Sequence, residues 1–210
     1  MAAVQAPEGE FDGAWARTFN VFCYFTVQSN VLVAVSTGLL ALRIDRPQLW
    51  FRVVRLTAVV AITVTFLVYQ TVLRGLRELT GLDVYADAAL HTVSPVLCVA
   101  GWLFIGPRGG LNRRVVAMTL IFPLAWGAFT LARGPIVDFY PYPFIDVAAL
   151  GYVRVLVNVA LVGLLFATLA AGAAWADRRL PGVGDTRAAR DSETMESHVP
   201  DATQQGAGSA

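Results

Sequence analysis

The run Tyr24-Phe25-Thr26-Val27-Gln28-Ser29-Asn30 gathers hydroxyl and amide side chains within one stretch of seven residues. Thr26, Ser29 and Asn30 are three and four residues apart, so a helix puts them on one face. Buried amides are costly without partners, so Gln28 and Asn30 either meet donors and acceptors inside a bundle or serve a ligand. Interhelical hydrogen bonding is the structural alternative for each residue taken alone. His91, in Leu90-His91-Thr92-Val93-Ser94-Pro95, is the single histidine outside the terminal tail. Its imidazole offers a general base, a proton donor or a ligand contact, according to its neighbours. A satisfied interfacial hydrogen bond is its structural reading.

A second constellation is Asp138-Phe139-Tyr140-Pro141-Tyr142-Pro143-Phe144-Ile145-Asp146. Two prolines flanking one tyrosine rule out a continuous ordinary helix and call for an extended or kinked segment. Tyr140, Tyr142 and their aromatic neighbours suit the headgroup region. The functional reading is a rigid lid over one mouth of a bundle. Asp138 and Asp146 are candidates to orient His91 or to meet Arg154, with solvated and capping roles as the alternatives. Arg154 and Asn158 form an i,i+4 pair that can turn toward one cavity, although Arg154 can instead snorkel to the interface.

Five uncharged, mostly apolar stretches must position these groups: 18–42, 56–73, 88–107, 115–132 and 155–176. Each has about the length needed to cross a bilayer at ~1.5 Å per residue. With 56% hydrophobic and 15% charged residues and a mean hydropathy of +0.59, the chain reads as an all-α polytopic transmembrane bundle. It divides into a polar N-terminal segment (1–17), a five-span bundle (18–176) with a proline-aromatic external loop (133–150), and a disordered tail (177–210) poor in apolar periodicity. The basic side chains set an orientation. Arg43, Arg46, Arg52 and Arg55, then Arg108, Arg113 and Arg114, then Arg178 and Arg179 mark cytoplasmic ends. The second connection balances Arg74 and Arg77 against Glu78, Asp83 and Asp87 and reads as external. The N-terminus is therefore expected outside and the C-terminus inside a cell membrane.

Composition excludes some classes of function. All 16 basic residues are arginine, so neither a retinal Schiff base nor a lysine nucleophile is available. No basic motif supports nucleic-acid binding. No cofactor or metal is expected: a His-only zinc site is disfavoured because His198 lies beyond the final cytoplasmic arginines, with carboxylates as the ligands a different site would use. Cys23 and Cys98 read as small buried hydrophobes, with a disulfide as the other reading. The opening, MAAVQAPEGEFDGAWA, is acidic where a signal peptide would be basic.

The three motifs at 24–30, 90–95 and 138–146, in that order, resemble those of a bacterial family of six-span integral membrane proteins over residues 15–176. That resemblance implies both ends in the cytoplasm and one N-terminal span more than is seen here. More distantly, the arrangement is similar to the eukaryotic androgen-induced and androgen-dependent transmembrane threonine hydrolases, which act on fatty acid esters of hydroxy fatty acids. The threonine of that family matches Thr26, and its histidine matches His91. The resemblance implies catalysis in which His91 takes the Thr26 hydroxyl proton as Thr26 attacks an ester carbonyl of an amphiphilic substrate. Gln28, Asn30 or Asn158 would then donate to the oxyanion. Two alternatives stand beside it. One is a non-catalytic lipid-binding or structural membrane protein using the same polar patch, with membrane lipids as partners. The other is a small-molecule transporter, disfavoured because no inverted repeat is visible and the span cores carry almost no ionisable residues.

Overall fold

The computed structural model describes residues 13–43, 46–76 and 78–180. Residues 1–12 of the polar segment and 181–210 of the tail, His198 included, lie outside the described residues. Among the described residues the chain is helical with no strand. Its elements are α1 (Ala14–Phe22), α2 (Phe25–Leu42), α3 (Leu49–Val68), α4 (Leu82–Ala88), α5 (Ser94–Ile105), α6 (Arg113–Thr119), α7 (Ile121–Val137) and α8 (Val147–Asp177). Two π-helical turns, Tyr69–Leu73 and Ala89–Val93, extend α3 and join α4 to α5.

Among the described residues five helical stretches are long and apolar enough to cross a membrane: Phe25–Leu42, Leu49–Leu73, Leu82–Ile105, Arg113–Val137 and Val147–Asp177. The chain is an integral membrane protein by that pattern, with one span for each apolar stretch. The second span is the centre. Half of its most apolar window is buried, against 17–22% in the others. It packs on α2, α5, α6 and α8, and Leu56, Val60, Ala61 and Val64 interlock there with Val115, Val155 and Phe166. Outward-facing Leu103, Phe104, Ile105, Leu161 and Leu164 stay exposed, as side chains that would meet lipid.

Local chemistry explains where helices start and break. Asn112 caps α6 by accepting from the Val115 N–H at 3.0 Å, and Asp146 caps α8 by accepting from the Ala149 N–H at 3.0 Å. Pro123 has no N–H for the Thr119 carbonyl, and the helix breaks there between α6 and α7. The expected first stretch, 18–42, is not one helix: it breaks at Cys23–Tyr24, where Tyr24 is extended. Trp126 donates its indole N–H to the Cys23 carbonyl at 2.9 Å, satisfying an acceptor that the break frees. Both cysteines are buried and free.

Between α7 and α8 the chain turns at Asp138, is extended at Tyr142 and makes a 3₁₀ turn over Pro143–Ile145, so that it is no continuous helix, as its prolines require. It folds back on α7, with the Tyr140 ring lying directly over Gly134. A Cβ on Gly134 would sit 2.1 Å from Tyr140 Cε1. Gly134→Ala must therefore push the ring and its loop outward. The expected cost is about 1–3 kcal/mol, read as a lower melting temperature of the purified protein.

Candidate functional site

The break before α2 decides the site. It puts Thr26 in the first turn of that helix, where backbone N–H groups have no partner within the helix. The Thr26 N–H donates instead to the Tyr142 hydroxyl at 3.1 Å, and the same phenol lies 3.2 Å from Thr26 Oγ1. His91 Nε2 lies 3.3 Å from Oγ1. Thr26 is thus 5% exposed yet has a base on one side and a phenol on the other. A hydroxyl–imidazole distance of 3.3 Å lies at the long end of the hydrogen-bond range.

The imidazole is held by Asp87, one helical turn before it. His91 Nδ1 lies 3.0 Å from Asp87 Oδ1 and 3.2 Å from the Asp87 carbonyl oxygen. Both are acceptors, so Nδ1 carries a proton and Nε2 keeps its lone pair toward Thr26 when the ring is neutral. Tyr69 donates its hydroxyl to Asp87 Oδ2. Its ring stacks on the imidazole with centroids 4.1 Å apart and planes 14° apart. Tyr69 and His91 lie in the two π-helical turns, which also meet through a Gln70–Thr92 bond of 3.2 Å. Such turns shift side chains off the ordinary helical register and recur at functional sites.

Around this chain the polar run of α2 is structural support. Ser29 and Asn30 both donate to the Thr26 carbonyl, at 2.9 and 2.8 Å. Ser29 also bonds Thr65 at 3.0 Å, tying α2 to α3, and Asn30 reaches the Leu90 carbonyl at 3.3 Å, tying α2 to the turn that carries His91. Tyr142 packs edge-on against Tyr24 and lies flat on Phe144. Burial pushes its phenol above the ordinary tyrosine range, opposed by its bonds to Thr26, so it remains a proton donor.

Thr26 and Tyr142 form one wall of a cavity of about 380 Å³. The rest of the lining is almost entirely apolar, from Val64 and Val68 through Leu120, Leu124 and Leu131 to Val159, Val162 and Phe166. It runs between α7 and α8 down toward the middle of the bundle. Its size and lining suit a ligand with a hydrocarbon chain. Thr26 and Tyr142 line the cavity and His91 does not, so the imidazole reaches the cavity wall through its contact with Thr26.

The other expected residues are distributed differently. Gln28 donates to the Phe22 carbonyl at 2.9 Å, and Asn158 donates to the Phe144 carbonyl at 2.8 Å, where it steadies the loop bearing Tyr142. Tyr140 covers Gly134. Asp146 caps α8, and Asp138 ends α7 with a left-handed φ of 48°. Arg154 is exposed. Among the described residues, the hydrogen bonds and ion pairs of His91 run to Thr26 and Asp87 rather than to Asp138 or Asp146. Asp87 and Tyr69 are the two residues that sequence reasoning missed. The i,i+4 spacing of Asp87 and His91 was the available signal. Among the described residues no three His, Cys, Asp or Glu side chains could hold a metal ion.

Comparison with protein-family models, characterised proteins and solved structures gives no match. The functional reading therefore rests on the geometry of these side chains.

Proposed function

We propose that the protein is a membrane-embedded hydrolase of amphiphilic esters, with Thr26 as nucleophile and His91 as general base. One observation carries this reading: the continuous chain Asp87–His91–Thr26–Tyr142 at the wall of an apolar cavity. A threonine hydroxyl is a weak nucleophile until a base shares its proton. Here the base has an orienting carboxylate and the hydroxyl has a partner on its far side.

In this mechanism the acyl chain of the substrate occupies the cavity and its carbonyl meets Thr26. Oγ1 bonds to the carbonyl carbon as its proton passes to His91 Nε2. The carbonyl oxygen becomes an oxyanion, met by the Tyr142 hydroxyl at the positive end of α2. Collapse breaks the ester C–O bond, and the departing alcohol takes the proton from Nε2. Water then repeats the sequence on the Thr26 ester, with His91 as its base, and releases the carboxylic acid. Asn30 donates to the Thr26 and Leu90 carbonyls, and Gln28 and Asn158 are held on the Phe22 and Phe144 carbonyls, whereas the Tyr142 hydroxyl lies against Thr26 Oγ1 itself, which makes Tyr142 the better placed donor.

Tyr142→Phe keeps the ring stacking and removes only the hydroxyl. It is expected to lower kcat by about 10²-fold, the usual effect of losing one oxyanion donor, with KM little changed in steady-state assays.

The direct test is turnover of a panel of lipid esters by purified protein, beside Thr26→Ala and His91→Ala. An acylated peptide containing Thr26, trapped with an activated ester and read by mass spectrometry, would identify the nucleophile. Lipid binding without turnover is the second reading, favoured by the cavity lining alone. Saturable lipid binding with no hydrolysis by well-folded protein, and no acylated Thr26, would decide for it.

A further inference from the structure

A second pocket, of about 100 Å³, lies at the end of the bundle away from Thr26, between the loops preceding α3 and α6 and the end of α8. Among the described residues, Arg46, Arg52, Arg55 and Arg108 line it together with one carboxylate, Asp177. Asp177 is already engaged, accepting the Leu111 N–H at 3.0 Å.

The guanidiniums are placed but not satisfied. Arg55 is only 9% exposed, and its Nη1 makes two long bonds of 3.4 Å to Ser36 and Thr37. Its Nε has no partner. Arg108 lies over the Trp102 ring at 4.4 Å, and its Nη2 donates to the Trp102 and Leu103 carbonyls. Its Nε and Nη1 are buried without partners. Arg52 packs against Gly110, where a Cβ would sit 3.0 Å from its Nε, so the glycine keeps that room open. Unpaired buried guanidinium donors are costly, and arginine cannot escape the cost by losing its proton. A planar guanidinium matches phosphate oxygens with paired N–H groups.

We propose that this pocket binds a phosphate-type oxyanion, with Arg55 and Arg108 as its buried donors and Arg46 and Arg52 flanking them. The anion is the phosphate of a lipid headgroup or a free phosphate group, for which the recognition chemistry is the same. This site is independent of Thr26 and of ester hydrolysis.

The test is thermal unfolding of the purified full chain in neutral detergent. One arm titrates inorganic phosphate against sodium chloride at matched ionic strength. The other adds phosphatidylglycerol or phosphatidylcholine to the micelles. A saturable rise of a few degrees is expected. A rise with inorganic phosphate assigns a free phosphate group, and a rise with phosphatidylglycerol alone assigns the lipid. Arg55→Met and Arg108→Gln should each abolish the rise. Arg55→Met should melt no lower than the parent without ligand, because it removes a poorly paired buried charge. No saturable rise in either arm would overturn the proposal. So would an unchanged rise in the Arg108→Gln protein, whose substitution lies in a loop between helices.

Discussion

Thr26→Ala is expected to bring ester turnover to the uncatalysed background, a loss of about 10⁴-fold or more in kcat. The substitution removes the atom that would carry the acyl group, so neither half of the reaction remains. Its structural cost should be modest. The methyl group and hydroxyl are lost, while the N–H bond to Tyr142 and the carbonyl bonds from Ser29 and Asn30 belong to the backbone of residue 26 and can persist. Thr26→Ser separates chemistry from packing. Serine keeps the oxygen between His91 and Tyr142 and should retain turnover within about tenfold, whereas alanine and valine should both lack it. Retained turnover in Thr26→Ala, with unchanged dependence on substrate, would sink the nucleophile assignment.

The sequence made the five spans legible because charge-free runs of bilayer length are rare outside membranes. Their ends were less legible. The second apolar stretch starts at residue 56, after Arg55, but the helix begins at Leu49, because backbone hydrogen bonds continue past arginines that have somewhere to go. The break at Cys23–Tyr24 carries no glycine or proline. It is fixed by Trp126 and Tyr142, more than 100 residues away, and no local pattern could announce it. The same holds for the site. Thr26 and His91 were visible as motifs, but their proximity depends on how the first and third spans pack. Tyr142 was visible as a residue held out of helix by its prolines, without its target. Asp87 looked like one of several loop charges. It turns inward because α4 runs straight into the π-helical turn, so Asp87 and His91 share one continuous helical span.

Asp87 consequently carries the second large prediction. In Asp87→Asn the side chain keeps its size, and its remaining oxygen can still accept the Tyr69 hydroxyl. Its amide would then face His91 Nδ1 as a donor. That favours the tautomer with the proton on Nε2, which cannot accept the Thr26 proton, against the Asp87 backbone carbonyl, which still accepts from Nδ1. A base in the wrong tautomer costs about 10⁴-fold in kcat in a well-studied hydrolytic triad, and a loss of about 10³–10⁴-fold is expected here. His91→Ala, which removes the base outright, should fall at least as far, and Asp87→Asn combined with His91→Ala should be no worse than His91→Ala alone. That non-additivity is the mark of groups acting as one unit. KM and the melting temperature should stay near those of the parent, because Asp87 touches neither the cavity nor the substrate. A melting temperature that falls in step with kcat, or additive losses in the double variant, would make Asp87 a structural partner of Tyr69 and not the group that sets the His91 proton.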